Sequence, residues 1–92
     1  MEKILERKFV QAVKAAGGLA PKLTCPGFAG MPDRLVMFPG GRVGFVEVKQ
    51  RGKRPTPVQL ARHGMLRRFG FLVYVLDDEG QIERILTNLN GG

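Results

Sequence analysis

Acidic residues are scarce through most of this chain of 92 residues. Between Arg7 and Leu76 only Asp33 and Glu47 are acidic, whereas the same stretch carries thirteen lysines and arginines. A formal net charge of +7 with basic residues through the middle of the chain attracts polyanions, of which nucleic acid is the usual one. The charge predicts contact with nucleic acid. A merely soluble basic surface would have the same composition, however, and charge alone does not separate a binding protein from an enzyme.

Long apolar runs and cysteine pairs are also missing. No segment approaches the roughly 20 apolar residues that span a bilayer, so we expect no membrane association. The single cysteine, Cys25, can form neither an internal disulfide nor a cysteine-based zinc site. The first residues, MEKILERKF, lack the apolar core of a signal peptide. We therefore expect one cytoplasmic domain.

Hydrophobic periodicity and turn residues divide the chain into short elements. Apolar residues at three- and four-residue steps indicate the first helix, and Thr56-Pro57 marks the start of the second. The order αβββαβ predicts an α/β domain with a mixed central sheet flanked by helices. The predicted elements are helices over 1–16 and 56–69, strands over 19–24, 34–38, 43–49 and 71–76, an edge strand or short helix over 81–86, and a polar tail over 88–92.

A predicted hairpin brings the two acids of the basic region together. Gly40-Gly41 is a turn signal between the strands 34–38 and 43–49. Asp33 then begins one strand, and Glu47 ends its antiparallel neighbour at the same end of the hairpin. Period-two alternation places Lys49 on the same side of its strand as Glu47. The spacing predicts two carboxylates and one ammonium group in a single cluster.

Such a cluster suits a hard divalent cation. Two adjacent carboxylates repel each other, and oxygen-only ligands favour Mg²⁺ or Mn²⁺. The backbone carbonyl of Val48 is a candidate third ligand. The ion would support phosphodiester hydrolysis by activating a bound water. Lys49 would hold that water or stabilise charge in the transition state, and a role as a base ranks second. A surface salt-bridge cluster would show the same spacing, so the pattern alone leaves both interpretations open.

Several basic residues are candidates for DNA contact. Arg51, Lys53 and Arg54 directly follow the Glu47 strand and could bind backbone phosphates, although a flexible charged loop would look the same. Lys22 could approach a phosphate or be an exposed strand lysine. The only histidine, His63, has no second histidine or cysteine to share a metal with, so we predict that it is exposed or faces DNA.

Four sequence blocks follow one another along the chain: Gly30-Met31-Pro32-Asp33-Arg34-Leu35-Val36, Phe45-Val46-Glu47-Val48-Lys49, Thr56-Pro57-Val58-Gln59 and Gly70. In this order they resemble the VRR-NUC domain, the virus-type replication–repair nuclease branch of the PD-(D/E)XK superfamily. The resemblance extends from Glu6 and Gly17-Gly18 to about Leu76. It implies a restriction-endonuclease-like core.

The resemblance also implies roles for individual residues. The metal carboxylates of the family match Asp33 and Glu47, and its motif lysine matches Lys49. Its first-helix acid matches Glu6, which would reach the metal through water. Without the family match, Glu6 is simply a helix charge. The family's helix glutamine matches Gln59, which would orient the nucleophile or contact a phosphate.

For the whole chain the resemblance implies a stand-alone endonuclease, bacterial or phage-encoded. Stand-alone members are similar to Holliday-junction resolvases and work as homodimers, and the same domain ends the larger Fanconi-associated nuclease. We therefore expect cleavage of branched DNA by a homodimer with Mg²⁺ or Mn²⁺. The strand 71–76 or the first helix would form the interface. The alternative is a non-catalytic basic nucleic-acid-binding module, and a protein–protein adaptor ranks last because it leaves the basic stretch unexplained.

Overall fold

A mixed three-stranded sheet forms the centre of the protein, which a computed structural model describes over residues 3–91. The sheet order is β1-β2-β3, with β1 and β2 antiparallel and β2 and β3 parallel. This architecture is the predicted α/β core with helices on both sides of a mixed sheet. The helices are α1 (Lys3–Ala15), α2 (Pro57–Arg68) and α3 (Ile82–Leu89), and the strands are β1 (Arg34–Phe38), β2 (Arg42–Val48) and β3 (Leu72–Leu76).

The hairpin between β1 and β2 sets the register of the sheet. Phe38 pairs with Arg42, and the turn between them contains Gly40 and Gly41 at φ of 90° and 75°. These left-handed conformations are ones that glycine adopts at little cost, which explains why the turn forms at this point. Each β1–β2 pair, from Phe38–Arg42 to Arg34–Val46, follows from that turn.

The two faces of the sheet carry separate apolar clusters. Alternate strand residues such as Val36 and Val46 pack with α1 and α3 into the larger core. The opposite face, which includes Phe45 and Val73, packs against Leu66 of α2. The helix α2 therefore covers the same face of β2 from which Glu47 projects, because residues two apart on a strand share a face.

The segment predicted as a strand over 19–24 is not a regular strand. It makes only isolated bridges, Leu19 with Met37 and Lys22 with Arg34, along the outer edge of β1. Pro21 has no N–H to donate, and the Arg34 side chain donates to the carbonyl of Ala20 at 2.9 Å. The ladder is interrupted at these positions, so the prediction of a continuous strand is wrong.

The C-terminal segment is helical, and its helix extends into the predicted polar tail. After a 3₁₀ turn at Glu79–Gln81, the chain forms α3, so of the two alternatives for 81–86 the helix is right. Its buried side chains, Ile82, Ile85 and Leu89, recur at three- and four-residue steps and close the larger core. Leu89 lies within the predicted polar tail, of which residue 92 falls outside the described range. Within residues 3–91, no helix combines the length and apolar character that a membrane span requires.

Candidate active site

Asp33 and Glu47 lie next to each other at one end of the β1–β2 hairpin. The last registered pair is Arg34 with Val46, so Asp33 and Glu47 occupy the next opposed positions. The structure therefore has the juxtaposition that the turn at Gly40-Gly41 predicts. Glu47 is almost fully buried, with 1% of the residue exposed, which is unusual for a carboxylate without a full set of partners.

Burial and proximity to Asp33 perturb the Glu47 carboxyl. Burial raises the pKa of Glu47 to about 7, and the negative charge of Asp33 adds to the increase. The Lys49 ammonium, whose Nζ is 3.6 Å from Glu47 Oε2, acts in the opposite direction but does not compensate. Burial and a second carboxylate both oppose ionisation of the Glu47 carboxyl. A bound cation would relieve this opposition, because its positive charge stabilises both carboxylates.

The end of β2 supplies a backbone group to the same place. The N–H of Val48 donates to Asp33 Oδ2 at 2.8 Å, so this side of Val48 faces Asp33. The next N–H, that of Lys49, donates in the opposite direction, to the carbonyl of Leu76 on β3. In a strand the N–H and C=O of one residue point to the same side, so the Val48 carbonyl is also directed towards Asp33.

The start of α2 supplies a further contact to Glu47. Thr56 caps the helix, its hydroxyl accepts from the N–H of Gln59 at 3.2 Å, and its own N–H donates to Gln59 Oε1 at 2.9 Å. This capping box fixes the amide of Gln59, so that Nε2 donates to Glu47 Oε2 at 3.1 Å. Gln59 contacts the acid itself, which supports a positioning role, and it also lines the cleft in which a nucleophile or phosphate would lie.

His63 is buried, and the prediction that it is exposed or faces DNA is wrong. Its residue exposure is 0%, and it lies one turn after Gln59 on the face of α2 that packs against the sheet. Its Nε2 is 3.5 Å from Glu47 Oε1. Burial lowers the pKa of His63, the nearby positive charges of Arg67 and Lys49 lower it further, and the negative charge of Asp33 opposes them, so the net shift favours the neutral imidazole. A single histidine in a helix gave no indication of this contact.

Glu6 lines the same cleft but is already paired. Its Oε2 accepts from Arg34 Nε at 2.9 Å, and the two side chains are only 14% and 16% exposed. Sequence reasoning gave Arg34 no role, although strand alternation places it opposite Asp33, on the face that α1 covers. Access of Glu6 to a cation through water would require this ion pair to be shared or loosened.

A cleft of about 550 Å³ opens over the cluster, and basic side chains line it. Of the predicted DNA contacts, Lys22, Lys53 and Arg54 lie on this cleft. Arg51 does not line it: its guanidinium is 3.5 Å from Asp78 on the turn after β3. The lining residues are Glu6, Lys22, Leu23, Thr24, Asp33, Glu47, Val48, Lys49, Gln50, Lys53, Arg54 and Gln59.

The donors at the cluster fit a hard divalent cation with few protein ligands. Within residues 3–91 no three side chains of the His, Cys, Asp and Glu types converge as a metal-binding group. The available oxygens are those of the Asp33 and Glu47 carboxylates and of the Val48 backbone. Mg²⁺ is commonly bound by one or two carboxylates while it keeps several waters, so this donor set suits Mg²⁺ and would not suit a closed zinc site.

Known proteins are similar to this chain in sequence and in fold. The chain is 43% identical over 89 residues to "Putative nuclease p44" of the Acyrthosiphon pisum secondary endosymbiont phage 1, and the match covers 97% of this chain and 95% of the phage protein. A solved structure described as a VRR_NUC domain is 35% identical, with a TM-score of 0.87 and coverage of 92% of each chain. A comparison with models of protein families finds no match.

The mixed sheet with its hairpin carboxylates and adjacent lysine places the protein among nucleases of the PD-(D/E)XK type. Within that class the likeness in sequence and structure is specific, since it extends over nearly the full length of both relatives. The chain belongs to the VRR-NUC family.

Proposed function

We propose that this VRR-NUC protein is a Mg²⁺- or Mn²⁺-dependent DNA endonuclease that cuts branched DNA as a homodimer. The observation that carries the proposal is the placement of Asp33 beside the buried carboxyl of Glu47, with Lys49 Nζ 3.6 Å from Glu47, on a cleft lined by basic residues. Burial and the charge of Asp33 raise the pKa of Glu47 to about 7, a perturbation of the kind that clusters at functional sites.

The carboxylates of Asp33 and Glu47 and the carbonyl of Val48 would hold the ion, with Glu6 contributing through water. A bound Mg²⁺ supplies the Lewis acidity that makes phosphodiester hydrolysis accessible at neutral pH. Lys49 would stabilise the negative charge that develops on the substrate phosphate in the transition state. Gln59 keeps the Glu47 carboxylate in place through its bond to Oε2.

DNA would follow the basic side of the cleft. Lys22 and the pair Lys53 and Arg54 lie on opposite sides of the acidic cluster in sequence and line one cavity. They would neutralise backbone phosphates without reading bases, which suits recognition of shape rather than of sequence.

An exposed apolar region beside β3 supports the dimer. The strand β3 is at the edge of the sheet, and Phe69, Phe71 and Leu72 are 69%, 38% and 44% exposed at its start. Exposed apolar side chains next to the edge of a sheet favour association. A two-fold dimer would present two equivalent clefts to the two symmetry-related strands of a four-way junction.

Cleavage assays on matched substrates test the activity. We expect the purified protein to nick an end-labelled four-way junction with Mg²⁺ or Mn²⁺, to cut a linear duplex of the same sequence more slowly, and to be inactive in EDTA. Lys49→Ala should lower the rate by about 100-fold or more, since it removes a charge from the transition state, while DNA binding is kept. Lys14→Ala, which removes an exposed lysine at the end of α1, is the control.

The outcomes separate the alternatives. Salt-sensitive binding with no cleavage in either metal would mean that the protein is a non-catalytic binding module. Equal rates on the junction and on the linear duplex would contradict the preference for branched DNA but not the nuclease activity.

The proposed dimer has its own test. Light scattering after gel filtration should give twice the monomer mass of 10.2 kDa. Phe69→Lys should shift the protein to monomer, whereas Ile4→Lys, on the exposed side of α1, should leave the dimer intact. The reverse result would move the interface to α1, and a wild-type monomer at micromolar concentration would contradict the dimer.

A further inference from the structure

His63 and Gln59 approach the same carboxylate from the same helix. They are four residues apart on α2, so their side chains lie one above the other on one face. Gln59 Nε2 contacts Glu47 Oε2 at 3.1 Å, and His63 Nε2 lies 3.5 Å from Glu47 Oε1. Each oxygen of the carboxylate thus faces a different side chain of α2.

The contact between His63 and Glu47 is too long to be a hydrogen bond in this structure. Glu47 Oε1 and both ring nitrogens of His63 are buried without a hydrogen-bond partner within the described residues. A buried polar atom without a partner destabilises the folded protein, because it has lost its hydrogen bonds to water. A movement of about 0.6 Å would bring Nε2 and Oε1 to ordinary hydrogen-bond distance and satisfy both atoms at once.

An apolar side chain would fill this position without the same cost. The face of α2 around His63 packs against the sheet through Leu66, which is 5% exposed and belongs to the smaller apolar cluster. The neighbour that explains the imidazole of His63 at this buried position is the Glu47 carboxylate, which is the proposed metal ligand.

We propose that His63 is a positioning residue for Glu47: its Nε2–H donates to Oε1 when the divalent ion is bound and fixes the plane of the carboxylate. This inference rests on the proposed metal-dependent function. An ionised carboxylate only accepts hydrogen bonds, so Nε2 must carry the hydrogen, and in a neutral ring Nδ1 is then the unprotonated nitrogen. With Gln59 on one oxygen and His63 on the other, α2 prevents the carboxylate from rotating away from Asp33.

Two substitutions separate hydrogen bonding from packing. His63→Gln keeps a donor that can reach Oε1, and His63→Met keeps the volume but removes the donor. We expect His63→Met to weaken Mn²⁺ binding, measured by titration calorimetry, by about 10- to 100-fold, which is the effect typical of partners that orient metal ligands. His63→Gln should remain within a few-fold of wild type. Binding of both variants to junction DNA in EDTA should be unchanged, because His63 does not contact the cleft.

Failure of this inference is distinguishable from failure of the proposed function. If wild type binds Mn²⁺ and a folded His63→Met variant binds it equally well, His63 has no positioning role and the nuclease proposal stands. If wild type binds no Mn²⁺ and cuts no DNA with it, both are overturned.

A measurement on the unaltered protein covers the case in which His63→Met does not fold. Long-range ¹H–¹⁵N spectra of wild type with saturating Mg²⁺ should show His63 with the hydrogen on Nε2. A neutral ring with its hydrogen on Nδ1 cannot donate to Oε1 and would overturn the inference.

Discussion

The Glu47 carboxyl is buried and lies beside Asp33, and both conditions oppose its ionisation when no cation is bound. It is 1% exposed, and burial together with Asp33 raises its pKa to about 7. In the unfolded chain its carboxyl would titrate near 4.5. Between these values the folded protein holds a proton that the unfolded chain has lost, so the contribution of Glu47 to stability falls as the pH rises through this window.

The upward shift of the Glu47 pKa predicts the effect of Glu47→Gln on the pH dependence of stability. In EDTA, wild type should lose on the order of 2 kcal/mol of unfolding free energy between pH 5 and pH 8 relative to Glu47→Gln, which cannot ionise. Urea unfolding at the two pH values measures the difference. Glu83→Gln, which removes an exposed carboxylate on α3, should follow wild type. Equal pH dependence in wild type and Glu47→Gln would show that the buried carboxyl is not perturbed.

Some residue environments could be predicted from the sequence and others could not. Asp33 and Glu47 are brought together by a turn signal and by strand pairing, both of which are local. The burial of His63 depends on how α2 docks on the sheet, and a single polar residue in a helix does not report that docking. The pairing of Glu6 with Arg34 has the same origin, since it joins side chains from α1 and β1.

The N-terminus of α2 connects helix stability to the geometry of the acidic cluster. The capping box that stabilises the first turn also determines which atom of the Gln59 amide faces Glu47. The Gln59 side chain therefore has a structural role in the helix cap formed by Thr56-Pro57-Val58-Gln59 and a proposed role in the site.

Thr56→Ala tests this connection. It should destabilise the protein by about 1 kcal/mol, the usual effect of losing a helix cap. It should also lower the cleavage rate, because Gln59 loses one of the two bonds that make up the capping box. Thr56→Ser keeps the hydroxyl and should resemble wild type in urea unfolding and in single-turnover cleavage. If Thr56→Ala loses stability but cuts at the wild-type rate, the cap does not act on the site.

Elements with strong local patterns were predictable, and those that depend on partners were not. The hairpin and α2 are specified by the turn at Gly40-Gly41 and by the Thr56 cap. The segment 19–24 has the composition of a strand, but Pro21 and the Arg34 side chain interrupt its ladder. The helix α3 is amphipathic over only eight residues, and its packing on α1 and the sheet decides between helix and strand.

Charge is the property of the whole molecule that matters most for its substrate. The formal net charge of +7 acts at long range, but the cleft contains only some of the basic residues. Arg51 and Arg54 lie in the same basic run and differ in location, because Arg51 faces Asp78 whereas Arg54 lines the cleft.

This pair allows a matched prediction. Arg54→Ala should reduce the slope of log Kd against log salt by about 1, since one phosphate contact is lost. Arg51→Ala removes the same charge and should change the slope less. Fluorescence anisotropy with junction DNA in EDTA measures both. A larger effect of Arg51→Ala would place the DNA path along the acidic turn rather than along the cleft.

The central claim is spatial: Asp33, Glu47 and the Val48 carbonyl share one divalent ion. Crystals soaked in Mn²⁺ at a concentration that supports cleavage test it directly through anomalous scattering. We predict a peak between the two carboxylates, about 2 Å from oxygens of Asp33, Glu47 and Val48, and no such peak in Asp33→Asn crystals. Wild-type crystals with no peak at this position would contradict the account.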